Sequence, residues 1–259
     1  MVKYLLKKSY LRKNLKEVSF NDLWNYNGIF TTMWIYGKPQ KILFFKSHIN
    51  NLIKSLKVYK IYKKKINSEI LRLIKINIKK NKRYNHLLRV AINNKLISIS
   101  LRNKIKTDKN FSLKIVNYKR IDPEYKNLKY RVILKHLSKL NTTKSDIVLI
   151  FRNKVLETGT SNLLFVSKNK IFSSKKNFYK GTNLKFFEKK IKILKKDIYV
   201  DQLYNFDEII LVGSGKGVTQ VKHIKEIKWK RRKDGIFKLL SSIYNREIKK
   251  QKNIHKYLC

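Results

Sequence analysis

Short runs of β-branched and aromatic residues interrupt this lysine-rich chain again and again, and their length is that of strands. Residues 29–36, 41–45, 87–92, 96–101, 111–118, 147–151, 162–166, 208–212 and 218–224 read this way, with a shorter run at 198–200. Helical spacing is confined to fewer segments. Ser47 stands as a cap before Ile49, Leu52, Ile53, Leu56 and Tyr59, and Ser68 begins a second series with Ile70, Leu71, Ile74 and Ile78. Residues 132–140, 183–194 and a last stretch from Asp234-Gly235 to about Lys249 complete the helices. Residues 1–20 read as an arm or a first strand. The turn Gly37-Lys38-Pro39 implies a hairpin. The segment 119–128, with Pro123, is the best linker candidate. An α+β protein of two domains follows: 1–121, with segregated strands and helices, and 122–259, mostly strands with helices laid over them.

Composition narrows the classes. The chain has 259 residues, 42% of them hydrophobic, which is enough for a core and excludes a disordered chain. Two prolines and eight glycines exclude collagen-like and proline-rich linker proteins. The single cysteine, Cys259, excludes a disulfide framework and a cysteine-built metal site. His48, His86, His136, His223 and His255 show no metal-ligand spacing. No apolar run reaches membrane length, and the N-terminal lysines are not followed by a signal-type core, so a cytoplasmic protein without membrane contact is expected. The net charge of +47, from 63 Lys and Arg against 16 Asp and Glu, suggests a polyanion partner. Yet the charge runs from Lys3 to Lys256 without forming a stripe, and Lys far exceeds Arg. Asn, Ile, Tyr and Phe are abundant too, and A+T-rich codons account for all of these residues. The expectation is therefore non-specific polyanion binding and no specific nucleic-acid partner.

Three segments carry candidate chemistry. Glu157 is one of few acids and lies between apolar strands, followed by Thr158, Gly159, Thr160, Ser161 and Asn162. It is either an exposed strand end or a buried acid that keeps a ligand nitrogen protonated. Gly181-Thr182-Asn183 precedes a helix, as an ordinary cap or an anion site. Gly213-Ser214-Gly215-Lys216-Gly217 lacks the hydroxylic residue after Lys and the following helix of a P-loop. A tight turn, or a nest of backbone amides, remains for it. Lys129 stands just after the linker candidate, where a desolvated amine forms Schiff bases.

Taken in order, these segments resemble the class IV pyridoxal-phosphate enzymes, a family that holds branched-chain aminotransferases, D-amino-acid aminotransferases and aminodeoxychorismate lyases. The likeness runs from about Asn21 to Lys249. Gly28-Ile29-Phe30-Thr31-Thr32 looks like an N-terminal family strand, and Ser47-His48-Ile49-Asn50-Asn51-Leu52 like its phosphate-binding helix start. Leu128-Lys129 looks like the Schiff-base lysine. Glu157 through Asn162 and Phe165 match the paired strands that carry the acid of the cofactor ring. Tyr179 to Asn183 resembles the phosphate loop, and Asp207-Glu208-Ile209 with Gly213-Ser214 a second one.

The resemblance implies a smaller N-terminal α/β sandwich, a larger C-terminal pseudo-barrel and bound pyridoxal 5'-phosphate. Lys129 would hold the cofactor and move protons, and Glu157 would pair with the pyridine nitrogen. Thr160, Ser161, Asn162, Gly181, Thr182, Asn183, Gly213 and Ser214 would surround the cofactor. Asn51 stands where the family has an arginine, and Asn93-Asn94 where the lyases have one. Lys126 rivals Lys129, because the interval from Lys129 to Glu157 is short; Leu134 and Leu137 favour Lys129. Phe30-Thr31-Thr32 resembles the lyase branch, with Thr31 or Thr32 orienting the substrate. The implied activity is conversion of 4-amino-4-deoxychorismate to 4-aminobenzoate and pyruvate by a homodimer acting on a small molecule. The alternatives are an aminotransferase, a diverged member without cofactor and a polyanion-binding protein.

Overall fold

The computed structural model describes residues 3–257, so Cys259 lies outside the described residues. The chain forms two compact units. The first takes Met1–Lys104, Tyr125–Tyr130 and Lys250–Cys259, and the second takes Ile105–Glu124 and Arg131–Lys249. The segment read as a linker, 119–128, is thus divided: from Tyr125 on it belongs to the first unit, together with Lys129 and Tyr130.

The first unit contains β1 (Tyr4–Leu11), β2 (Glu17–Val18), β3 (Gly28–Gly37), β4 (Lys41–Ile42), α1 (Phe45–Val58), α2 (Ile66–Asn77), β5 (Tyr84–Asn93) and β6 (Leu96–Asn103). Its strands make one sheet in the order β2-β1-β6-β5-β3-β4. Strand alternation sends Ile29, Met33 and Ile35 of β3 to the same core as Leu88, Val90 and Ile92 of β5. There they meet Ile49, Leu52 and Leu56 of α1 and Ile70, Leu73 and Ile74 of α2. Each such buried side chain contributes roughly 1.5–3 kcal/mol of transfer free energy. Gly28 permits a close passage, since a Cβ there would lie 2.4 Å from the Ile92 carbonyl oxygen and 2.6 Å from Leu128.

Three local readings change. Residues 1–20 supply a full strand, β1, paired along its length with β6. The run 41–45 is divided: β4 ends at Ile42 and α1 begins at Phe45. Phe44 precedes α1 in the left-handed region with φ of 55° and no side-chain cap, so Ser47 falls inside the helix.

The second unit contains β7 (Ser112–Asn117), α3 (Arg131–Leu137), β8 (Ser145–Phe151), β9 (Lys154–Thr158), β10 (Asn162–Ser167), β11 (Lys170–Ser174), α4 (Thr182–Glu188) and β12 (Leu194–Lys196). β13 (Glu208–Gly213), β14 (Gly217–Gln220), β15 (His223–Ile224), β16 (Trp229–Lys230) and α5 (Gly235–Lys250) follow. They build two five-stranded sheets, β12-β11-β10-β13-β14 and β16-β15-β7-β8-β9. Leu113, Val148 and Val155 of one sheet share a core with Phe165, Ile209 and Leu211 of the other. This mixed architecture of sheets with few helices is the expected α+β class. β9 and β11 were not expected, the helix at 183–194 shortens to α4, and the run at 198–200 keeps only an isolated bridge at Tyr199 before a 3-10 helix, Val200–Asn205.

Candidate active site

In the second unit, the site residues gather on neighbouring turns. Glu157 sits on β9 opposite Leu149 and is 6% exposed, so its carboxylate needs a partner. Arg120 supplies one: its Nε lies 2.8 Å from Oε1. The guanidinium is itself held, because Nη2 donates to the Pro123 carbonyl at 2.6 Å. The Tyr179 backbone N–H faces the same carboxylate oxygen at 3.4 Å. Glu157 is therefore the buried acid and not an exposed strand end.

Asn162 opens β10 and grips the next loop. Its amide nitrogen donates to the Tyr179 carbonyl at 2.6 Å, and its oxygen accepts the Gly181 N–H at 2.9 Å. A side chain at Gly181 would lie 2.8 Å from that oxygen, so glycine is required by closeness. Thr182 and Asn183 then begin α4, both buried. Asn183 donates to the Tyr244 hydroxyl on α5 at 3.2 Å, and its Oδ1 meets no hydrogen-bond partner among the described residues. Burial pushes the Tyr244 phenol well above its ordinary value, so it stays protonated.

The hydroxyl of Thr158 accepts the N–H groups of Thr160, at 3.2 Å, and Ser161, at 2.8 Å, which closes the turn after β9. Ser161 packs on Gly213, where a Cβ would lie 2.6 Å from the serine Oγ. Gly213 and Gly217 pair across the hairpin of β13 and β14, and Gly217 has φ of +67°. A strand follows this glycine turn, which sets it apart from a P-loop. Ser214 lies in the same turn, half-buried.

In the first unit, the segment 125–130 runs beside β3. The Phe30 N–H donates to the Lys126 carbonyl and the Leu128 N–H to the Gly28 carbonyl, each at 2.9 Å. The Lys126 ammonium lies 5.0 Å from the centre of the Phe30 ring. The Lys129 backbone N–H donates to the Asn127 side chain at 3.1 Å, and its ammonium has no hydrogen-bond or ion-pair partner among the described residues. Thr31 and Thr32 point to opposite faces of β3. Thr31 is buried with its hydroxyl 3.0 Å from His48 Nδ1. Burial, reinforced by the Lys126 charge, pulls the His48 imidazole down to about 3. Thr32 stands opposite Arg89 of β5. Asn51 lies half-buried on α1, where its carbonyl accepts the Ser55 hydroxyl. Asn93 closes the β5–β6 turn by accepting the N–H groups of Lys95 and Leu96.

Arg89 escaped the sequence reading. It is 8% exposed, stacks 3.7 Å from the centre of the Trp24 ring, and its Nε and Nη2 meet no hydrogen-bond acceptor among the described residues. Desolvation lowers the guanidinium to about 10, opposed by Asp22, so it keeps its charge at neutral pH. Arg120 escaped it too. Among 63 cations neither had a signal of its own, apart from Arg89 falling within an apolar strand.

The sequence pattern of the amino-transferase class IV family matches residues 28–224. That is most of the chain, and the chain belongs to this family. Solved structures agree on the fold. The branched-chain aminotransferase of Thermoproteus uzoniensis superimposes with a TM-score of 0.74 at 17% identity, covering 95% of this chain and 97% of that one. That of Escherichia coli gives 0.75 at 14% identity, covering 93% of each. A Legionella pneumophila protein provisionally assigned as a 4-amino-4-deoxychorismate lyase gives 0.70 at 16% identity, covering 85% of this chain and 91% of that one. No curated protein matches the sequence significantly. No helix is long and apolar enough to cross a membrane among the described residues.

Proposed function

We propose that this class IV enzyme is a pyridoxal-phosphate-dependent lyase that converts 4-amino-4-deoxychorismate to 4-aminobenzoate and pyruvate, a folate precursor step. The observation that carries the substrate class is Arg89. A buried guanidinium with unsatisfied donors is costly unless an anion completes it. The lyase substrate carries two carboxylates. A branched-chain amino acid would bring only an apolar side chain besides its own carboxylate. Thr32, across the strand pair from Arg89, is the threonine on that face, and Thr31 is already engaged by His48.

The second unit fits the cofactor. Glu157 is a buried, fixed carboxylate suited to a protonated ring nitrogen. The amides at Gly181–Asn183 and the turn of Gly213 and Ser214, with the Ser161 hydroxyl, suit a phosphate. Bound pyridoxal phosphate supplies an electron sink. We assign Lys126, ahead of Lys129, as the lysine that bonds it. Lys126 is anchored through its backbone to Phe30 and holds its amine against that ring, beside the Thr31–His48 pair. With the cofactor as electron sink, Lys126 Nζ would take the proton from the amine-bearing ring carbon and return it to the departing enolpyruvate, which becomes pyruvate. Asn51 leaves the first unit without the family's cation at that position. A cytoplasmic homodimer completes the proposal, and light scattering of the purified protein checks the assembly.

Aminodeoxychorismate should release pyruvate and 4-aminobenzoate in equal amounts. Dependence on an added keto acid, with amino transfer, would instead favour an aminotransferase. A visible band removed by borohydride should persist in Lys129→Ala and vanish in Lys126→Ala; loss only in Lys129→Ala returns the role to Lys129. No band in the unaltered protein would leave a diverged, cofactor-free member.

A further inference from the structure

A buried ion pair behind the glycine turn has no part in the chemistry above. Asp146 on β8 has no exposed surface, and Lys216, between β13 and β14, is 7% exposed. Lys216 Nζ lies 3.1 Å from Asp146 Oδ2 and 2.7 Å from Thr160 Oγ1. The same carboxylate oxygen accepts the hydroxyls of Thr160, at 2.6 Å, and Thr158, at 3.1 Å. The Ile147 N–H donates to Oδ1 at 2.8 Å.

Three pieces of chain meet at this one carboxylate: β8, the turn 158–161 and the turn 213–217. Those two turns carry the Ser161, Gly213 and Ser214 groups read above, with the Gly181–Asn183 amides, as the phosphate cradle. They already touch, since Ser161 leaves no room for a side chain at Gly213. Hydrogen-bond donors bind an anion well only when their spacing is held. The pair carries no net charge, so its influence on an anion comes through geometry. Breaking such a buried pair leaves an uncompensated charge that the turns must move to solvate.

We propose that Asp146 and Lys216 are positioning residues for the phosphate cradle, fixing the spacing of these two of its turns. This rests on the reading of those turns as the cofactor's phosphate site. The Thr160 hydroxyl belongs to this brace, bonded at once to Asp146 and Lys216.

The test compares pyridoxal 5'-phosphate with pyridoxal, which lacks the phosphate, by titrating the apoprotein and following absorbance. Unaltered protein should prefer the phosphorylated form. Asp146→Asn keeps the shape of a side chain that touches no ligand, and it frees the Lys216 ammonium. If the pair positions the turns, the preference falls roughly tenfold or more, the scale on which supporting residues act. If Lys216 is instead a direct phosphate ligand, the preference holds or rises, and the proposal is overturned. A lower apoprotein melting temperature with an unchanged preference also overturns it, since the pair is then structural alone. Should Asp146→Asn not fold, Thr158→Val removes one donor from the same carboxylate and carries the same comparison. An unaltered protein with no preference for the phosphate would refute the cradle itself, an outcome separable from the variants' behaviour.

Discussion

His48 is enclosed on α1 with its Nδ1 against the Thr31 hydroxyl, and its imidazole is held near 3. The folded state thus keeps His48 neutral, while the unfolded chain titrates near 6.5. Its contribution to stability is complete above that unfolded value and is lost as pH falls toward 3. Between pH 7 and pH 5 the loss is about 2 kcal/mol. Denaturant unfolding at both pH values should show that extra loss in the natural protein and not in His48→Gln. Equal losses would place the histidine in water.

Arg89 poses the opposite problem, a charge kept where it is not fully satisfied. Arg89→Met should raise the apoprotein melting temperature, because it removes buried unsatisfied donors, and lower kcat/KM of the proposed lyase reaction about 100-fold, because it removes a charge-assisted contact. A variant that loses stability and keeps full activity would return Arg89 to a stacking role on Trp24.

Elements depend on similar single groups. Helix α5 begins at Gly235 with no acid in its first turn. Glu208 supplies that charge from β13, its Oε1 accepting the Ile236 N–H at 2.9 Å and its Oε2 the Phe237 N–H at 2.8 Å. A carboxylate on free first-turn amides favours the helix through hydrogen bonding and the dipole. Glu208→Gln should cost about 1 kcal/mol and Glu208→Ala about 2–3 kcal/mol, with α5 amides exchanging first by hydrogen exchange. In sequence, Glu208 was legible as the first residue of a strand run and, with Asp207, as part of a family resemblance, but not as the group that caps α5. Strands such as β3 and β5 were legible because their apolar residues alternate or run on. β9 was not: Glu157 and Thr158 are buried polar residues satisfied by Arg120 and by Asp146 respectively, and a pattern of hydrophobicity cannot show that. α1 was legible by its period, yet its start was not, because Phe44 turns the chain without a capping side chain. Glu157 stood out because acids are rare here. Its partner Arg120 was hidden because cations are common.

That asymmetry governs the whole molecule. A net charge of +47 repels itself, and the 16 acids are too few to pair with 63 cations. Several acids are occupied inside the fold: Asp146, Glu157 and Glu208 are all buried. They relieve local charge and leave the surface strongly positive. Stability should therefore rise with ionic strength before specific ions matter. Screening shortens the reach of charge from about 30 Å at 0.01 M salt to about 10 Å at 0.1 M. Melting temperature measured across that range should climb by several degrees, and sulfate should act more strongly than chloride. The same surface should bind heparin and DNA of any sequence, with log affinity falling steeply against log salt. If that binding ignores sequence and is lost at moderate salt, the charge is a property of composition. Binding that persists at high salt, or prefers one sequence, would mean that the cations form an organised face and that the enzyme has a second, polyanionic partner.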